Sequence, residues 1–142
     1  MYRAEDVAAY IINKQVDDGY PISNLKLQKI LYFVQAEFLV SKDEPCFDEV
    51  IEAWDFGPVV ESVYKEYAVH GGNLIFSPSE STSGYHIKHN DRELIDGILE
   101  KVTKCSTSYL ASIIFHQTPW IKGRARLNRI ITNESLKDFF SE

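Results

Sequence analysis

The side chains of this 142-residue sequence that could bind a metal or attack a substrate are four histidines and two cysteines. His86 and His89 form the one close histidine pair. On a strand, this odd spacing would place them on opposite faces. Cys46 and Cys105 are far apart and form no Cys-x-x-Cys pair of the kind that binds zinc. The sequence therefore predicts no metal site and no cofactor.

Catalytic motifs are equally absent from the sequence. It contains no G-x-S-x-G turn for a serine nucleophile, and neither cysteine has a recognisable catalytic context. Gly71-Gly72 is not followed by the G-K-[ST] of a phosphate-binding loop. Carboxylates are abundant between residues 37 and 66, but an acidic run of this kind is usually a solvated face. We expect no catalytic residues and no enzymatic activity.

A basic segment lies between Trp120 and Ile130 and contains no acidic residue; its bases are Lys122, Arg124, Arg126 and Arg129. Basic side chains next to an aromatic ring can hold a phosphate backbone and stack on a base. The alternative is that Trp120 packs in the core while the bases are solvated or paired with the acidic run. The net charge of −6 favours this alternative, because nucleic-acid affinity comes largely from neutralising phosphates.

The most distinctive short string runs from Trp54 to Pro58 and combines two aromatic residues with Gly57-Pro58. It has two interpretations. The string can form a rigid surface turn whose rings act as anchors for a protein partner, since aromatic residues are enriched at interface hot spots. It can also form a sharp strand-to-helix turn with Trp54 and Phe56 inside the core. The sequence leaves both open.

Two glutamines occupy unexpected positions. Gln28 and Gln35 project together from a mainly apolar side of the second predicted helix. They either hold backbone through buried hydrogen bonds or meet a partner. On the same helix, Lys26, Lys29 and Glu37 are predicted to share the remaining polar strip.

The elements that must position these residues are mostly helices. Apolar residues at helical spacing predict helices over about Ala4–Val16 and Asn24–Ser41. Further helices are expected where Pro58 takes a first helical position, at the capping box formed by Asn90 to Glu93, after a Ser106 cap, at Thr118-Pro119, and from Thr132 or Asn133 through Phe140. Alternation predicts a strand at Ile51–Phe56 and a small hairpin joining Leu74–Phe76 to Tyr85–Ile87.

These elements describe a mainly α fold: a single compact domain spanning residues 1–142, with about six helices and two to four short β-strands. One hydrophobic core is what a chain of this length supports. Polar residues interrupt the N-terminus where a signal peptide would be apolar, and no run reaches the roughly 20 apolar residues of a membrane span. We expect a cytoplasmic protein with no membrane contact.

Several of these strings together resemble the Panacea domain, a family also described as SocA-like or as phage-associated GepA proteins. The resemblance rests on the run from Ile22 to Ala36, on Phe47-Asp48-Glu49, on Glu52-Ala53-Trp54, on Phe56 to Val60 with Val63-Tyr64, on Leu110 to His116 with Thr118-Pro119-Trp120, and on the closing helix from Ile130 to Phe140. Its motif residues here are Gln28, Tyr32, Gln35, His116, Pro119 and Trp120.

The resemblance implies an antitoxin, often encoded by a prophage or another mobile element, that neutralises a cognate toxin by direct binding. The alternative within the family is an adaptor that delivers a toxin to an ATP-dependent protease, or a phage-associated regulator that contacts nucleic acid through the basic segment. For the toxin contact we expect Lys26, Lys29, Trp54, Phe56, Gly57 and Pro58. Phe139 and Phe140 either complete the core or form a homo-oligomer contact.

Overall fold

The computed structural model describes residues 1–80, 84 and 86–142 and confirms the predicted mainly α fold. The helices in this part of the chain are α1 (Ala4–Asp17), α2 (Asn24–Lys42), α3 (Glu61–Tyr67), α4 (His89–Val102), α5 (Thr107–Ile114), α6 (Thr118–Ala125) and α7 (Asn133–Phe140). The strands are β1 (Ile51–Trp54), β2 (Gly57–Val59) and β3 (Ile130–Ile131), and a 3-10 turn covers Ala68–His70. None of the helices described is long and apolar enough to cross a membrane.

Helix α2 forms the centre of the domain. It packs against α1, α3, α4, α5, α7 and β2, so neighbours surround it on nearly every side. This position matches its sequence, because a helix that is apolar around most of its circumference belongs in a core. Its buried apolar residues include Leu27, Ile30, Leu31, Val34 and Phe38. Burying a side chain of this size contributes about 1.5–3 kcal/mol, so the buried faces of α2 add substantially to core stability.

The three strands form an antiparallel sheet in the order β2-β1-β3. Trp54 pairs with Gly57, so Asp55 and Phe56 alone connect β1 to β2. Gly57 has a φ of +135°, a conformation that residues with a side chain rarely adopt. Helix α6 packs directly on the sheet at Gly123, where an added Cβ would lie 2.8 Å from Cγ1 of Ile131.

Two predicted helix caps are present and one is wrong. The hydroxyls of Ser106 and Thr132 accept hydrogen bonds from the backbone N–H groups of Tyr109 and Ser135, as N-caps do. The capping box predicted at Asn90 does not form, because α4 already begins at His89 and Asn90 lies inside the helix.

The prediction that Pro58 opens the third helix is also wrong. Pro58 lies in β2, opposite Ala53 of β1, and α3 begins three residues later at Glu61. Strand β2 is at the edge of the sheet. Proline is compatible with an edge strand because no further strand needs its missing N–H group.

The predicted hairpin does not form as expected, because its first strand segment pairs with another part of the chain. Ile75 forms an isolated antiparallel bridge with Ile22, and its N–H group donates to the Ile22 carbonyl at 2.8 Å. His86 and Ile87 lie in a turn and a bend rather than a strand, and Tyr85 lies outside the described residues. The segment at 74–76 is therefore tied to the entry of α2.

The C-terminal helix α7 packs on α2. The ring of Phe140 makes edge contacts with Tyr32 and Phe33, with ring centroids 6.0 and 6.2 Å apart. Phe139 contacts Phe140 at 5.1 Å and is half-buried. Phe140 thus contributes to the core, which was one of the two alternatives for this pair.

Candidate protein-binding surface

The β1–β2 connection presents a cluster of three aromatic side chains, which we call the aromatic turn: Trp54, Phe56 and Tyr64. Phe56 lies 5.8 Å from Trp54 and 5.9 Å from Tyr64 between ring centroids, and Trp54 lies 5.3 Å from Tyr64. Phe56 keeps 37% of its surface exposed, and the other two are half-buried. The rings pack against one another and are still partly exposed to solvent. The cluster is therefore neither a fully exposed turn nor a turn with both aromatic rings inside the core, which were the two interpretations of the sequence.

Lys29 lies beneath this turn, which corrects the prediction that it belongs to an exposed polar strip. The residue is only 1% exposed, and its Nζ donates to the Phe56 carbonyl at 3.1 Å. Burial lowers the pKa of the Lys29 amine. A Cβ on Gly57 would lie 3.0 Å from this Nζ, so the amine approaches the turn at the residue that has no side chain. Lys29 therefore supports the turn from below and cannot itself touch a partner.

Buried amides of α2 hold the start and middle of α3. Gln28 accepts from the N–H group of Val60 at 2.9 Å and donates to the Asn24 side chain at 3.0 Å. Asn24 in turn donates to the Tyr64 carbonyl at 3.0 Å. We call Asn24 and Gln28 the amide clamp. The clamp fixes the backbone that carries Tyr64, and it thereby positions the aromatic turn.

Gln35 holds a different segment, between α2 and β1. Its Oε1 accepts from the N–H groups of Cys46 and Phe47 at 2.8 and 3.2 Å, and its Nε2 donates to the Phe47 carbonyl at 2.9 Å. Gln28 and Gln35 are each 1% exposed. Neither glutamine can meet a partner directly, so their role is to satisfy buried backbone.

An apolar groove runs along one side of the aromatic turn. It has a volume of about 490 Å³, and its lining includes Leu25, Phe56 and Tyr64 together with Ala68 and Thr107. Leu25 is 37% exposed at the start of α2. The groove is open to solvent and wide enough to receive an apolar side chain from another molecule.

The basic segment lies on the other side of the turn and joins the same surface. A shallow depression of about 320 Å³ is lined by Ala53, Trp54, Asp55, Phe56, Arg124 and Arg129. Arg124 donates to the Ala53 carbonyl at 2.9 Å and pairs with Asp55 at 2.7 Å. Two sets of residues that the sequence assigned to different partners are thus neighbours in the fold.

The other bases of this segment differ in their contacts. Arg126 donates to the Ile130 carbonyl at 2.9 Å, and Arg129 donates to the Arg124 carbonyl. Arg129 has a φ of +60° and is exposed, as is Lys122. Each of the three arginines therefore donates at least one hydrogen bond to a backbone carbonyl, and these bonds attach the segment to the fold.

Residues 27–121 match the family described as "Antitoxin SocA-like, Panacea domain". The chain belongs to this family. It is also 35% identical over 119 residues to "Antitoxin SocA" of Caulobacter vibrioides (strain NA1000 / CB15N), an alignment that covers 78% of this chain and 63% of that protein. The chain thus spans less than two thirds of the length of this relative. No solved structure matches the chain.

The motif residues of this Panacea domain are mostly structural in their contacts. Tyr32 donates to the Gln117 side chain at 2.7 Å, and burial raises the pKa of the Tyr32 hydroxyl. Pro119 is buried, while Trp120 is half-buried and contacts Phe115 at 4.7 Å. His116 is exposed, with Nδ1 at 2.7 Å from the Ser112 carbonyl. The Tyr32–Gln117 bond ties α2 to the segment between α5 and α6, and the Phe115–Trp120 contact joins α5 to α6.

Lys26, which was expected to face the toxin, is half-buried in this Panacea domain. Its Nζ donates to the Thr103 carbonyl at 2.8 Å, and burial lowers the pKa of the amine. Leu25, by contrast, is 37% exposed and Tyr64 is half-buried, and both line the apolar groove, although neither was among the residues expected to contact a toxin. These two residues come together because a strand ends beside the N-terminus of α2. This contact joins parts of the chain that are distant in sequence, so only the fold reveals it.

The residues considered for metal binding and nucleophilic chemistry have other contacts. In the described part of the chain, no group of three histidine, cysteine or acidic residues is arranged to hold a metal ion. His86 lies 3.4 Å from Asp6, and His89 pairs with Glu93 at 2.7 Å. Cys46 is buried, and burial raises the pKa of its thiol, which opposes formation of the nucleophilic thiolate.

Proposed function

We propose that this Panacea-domain protein is an antitoxin that neutralises a cognate toxin by direct binding through the aromatic turn and the groove beside it. Family membership and the similarity to antitoxin SocA support an antitoxin role. The observation that carries the choice of surface is the cluster formed by Trp54, Phe56 and Tyr64, which stays partly exposed inside the matched range 27–121.

The physical argument for this surface is that it is both apolar and held in place. A few hot-spot residues, enriched in tryptophan, tyrosine and arginine, carry most of the binding energy at protein interfaces. Binding also costs entropy when loops must become ordered. Here Lys29 and the amide clamp hold the turn backbone before any partner arrives. The rings can therefore contact a toxin with little additional loss of conformational freedom.

A growth-rescue experiment tests the proposal. The product of the gene adjacent to the one that encodes this chain is expressed alone and together with the chain. We expect the neighbouring gene product to stop growth when expressed alone and to permit growth when co-expressed with the chain. We also expect the two purified proteins to form a complex. If the neighbour is harmless alone, or if the chain fails to protect against it, the antitoxin function is refuted.

A matched pair of variants tests the surface. Phe56→Ser removes the most exposed ring of the turn and should abolish rescue. Phe76→Ser makes the same change at a ring that is 64% exposed and lies outside the aromatic turn, and it should preserve rescue. Equal rescue by both would show that the toxin binds elsewhere. Toxin abundance that falls in the presence of the chain, and only with an ATP-dependent protease active, would identify the adaptor mode instead.

A further inference from the structure

Phe56 lines both the apolar groove and the basic depression. Leu25 and Tyr64 line the groove with it, and Arg124 and Arg129 line the depression with it. A chain lying across Phe56 would therefore contact an apolar site and a basic site in succession. The two neighbouring sites together therefore define both an apolar and a charged requirement for the partner, whereas either site alone defines one.

The charges on the basic side are incompletely neutralised. Lys29, Arg124, Arg126 and Arg129 each donate to a backbone carbonyl, and such a bond leaves the positive charge in place. Among the described residues, Asp55 is the one carboxylate within ion-pair distance of any of them. Lys122 adds a further exposed ammonium group. In a chain with a net charge of −6, this face is locally positive.

The buried ammonium of Lys29 strengthens this local field. It lies directly behind the Phe56 carbonyl and is screened from water by the turn itself. Charges interact more strongly through a low-dielectric interior than through solvent. A negative group arriving at the outer face of the turn would therefore be attracted by Lys29 without touching it.

We propose that the segment bound at this surface is acidic: it places an apolar side chain in the groove and carboxylates beside Arg124, Arg129 and Lys122. This inference rests on the proposed function, because the segment belongs to the toxin. A protein is favoured over nucleic acid because the groove beside Phe56 offers an apolar site that a phosphate backbone cannot use.

The charge test uses a double variant, Lys122→Glu with Arg129→Asp. Aspartate is chosen for Arg129 because Asp tolerates the positive φ of that residue better than most side chains. The control is Lys101→Glu with Lys104→Glu, which makes a comparable charge change at two exposed lysines at the end of α4 and just beyond it. Thermal unfolding of both variants verifies that they fold.

Complex formation with the toxin is measured at low and high salt. We expect wild type to bind more weakly as salt rises, the Lys122/Arg129 variant to bind about tenfold more weakly at low salt with a reduced salt dependence, and the control to match wild type. If wild type rescues growth and the Lys122/Arg129 variant binds the toxin as tightly as wild type does, the acidic-partner inference fails while the antitoxin function stands. If wild type itself does not rescue, the proposed function fails.

A second measurement tests the chemistry without the toxin. Random peptides displayed on phage are selected on the purified chain and counter-selected on the Phe56→Ser variant. Enrichment of Asp and Glu next to large apolar residues supports the inference, and peptides without acidic enrichment, or no enrichment at all, overturn it. A fluorescent double-stranded DNA probe is titrated in parallel, and binding that the Lys122/Arg129 variant abolishes would assign the surface to nucleic acid.

Discussion

Replacing Gln35 by methionine tests whether the buried glutamines of α2 stabilise the fold through backbone hydrogen bonds. Methionine has nearly the same length and fits the same space, but it can neither donate nor accept a strong hydrogen bond. The variant would leave the N–H groups of Cys46 and Phe47 and the carbonyl of Phe47 without their partner. Those groups belong to residues that are at most 1% exposed, so water cannot easily replace the amide.

The expected loss follows from the number of bonds. A buried polar group left without a partner costs about 1–3 kcal/mol. Three such groups give a loss of about 3 kcal/mol at the lower bound, which we take as the estimate because the loop can relax. A domain of this length has a free energy of unfolding of about 7–21 kcal/mol. The Gln35→Met variant should therefore fold, and the midpoint of its thermal unfolding should be lower than that of wild type by about 10 °C.

Urea unfolding followed by tryptophan fluorescence measures this loss. The control is Glu37→Met, which makes a similar change on the same helix at a partly exposed residue and should alter stability by at most about 0.5 kcal/mol. A Gln35→Met variant as stable as the control, with an unchanged denaturant slope, would refute the assignment of these bonds as stabilising. The proposed toxin binding should survive in Gln35→Met, because Gln35 does not hold the aromatic turn.

Three further predictions concern buried charges and the turn. Lys29→Met should leave the protein folded and at least as stable by urea unfolding, because removing a buried charge offsets the lost hydrogen bond; any measurable loss of stability would contradict this. Gly57→Ala should destabilise by about 1–3 kcal/mol because of its φ of +135°, whereas Gly72→Ala, whose Cβ would meet no atom within 4 Å, should have little effect in the same assay. Asp91 is buried, which raises its pKa, but hydrogen bonds from a lysine and a tyrosine lower it further, so the net pKa falls below the ordinary 3.8. Its contribution to stability is complete above that value and is lost as the pH falls through the lowered pKa, so Asp91→Asn should lose less stability than wild type on acidification, and identical pH profiles would exclude this role.

The helical part of the fold was readable from the sequence because its signals are local. Apolar residues at helical spacing located α1 and α2, and hydroxyl caps located the starts of α5 and α7. The β1 strand followed from alternation. Each of these features depends on residues within one or two turns of each other, so no tertiary information was needed.

The errors occurred where distant contacts override local preference. Lys29 was assigned to a polar strip because lysine is rarely buried without an acidic partner. The Lys29 amine donates to the carbonyl of Phe56. Every residue has such a carbonyl, so the residue types in the sequence do not show which one a buried lysine will use. Pro58 was assigned to a helix start, although the edge of a sheet accepts it equally well. The candidate surface likewise depends on which loops meet, so its glutamine supports could be noted as unusual but not assigned to their targets.

The two glutamines of α2 have a consequence for how the domain could diversify. They lie seven residues apart on one rigid helix, about 10 Å along its axis, and each holds a separate stretch of backbone. Changes between residues 43 and 50 leave the Gln28 bond untouched, and changes between residues 54 and 56 leave the Gln35 bonds untouched. The turn can thus be randomised as a cassette while the rest of the molecule acts as a fixed frame. Libraries at Trp54, Asp55 and Phe56 are the natural starting point for redirecting this scaffold to a chosen protein partner.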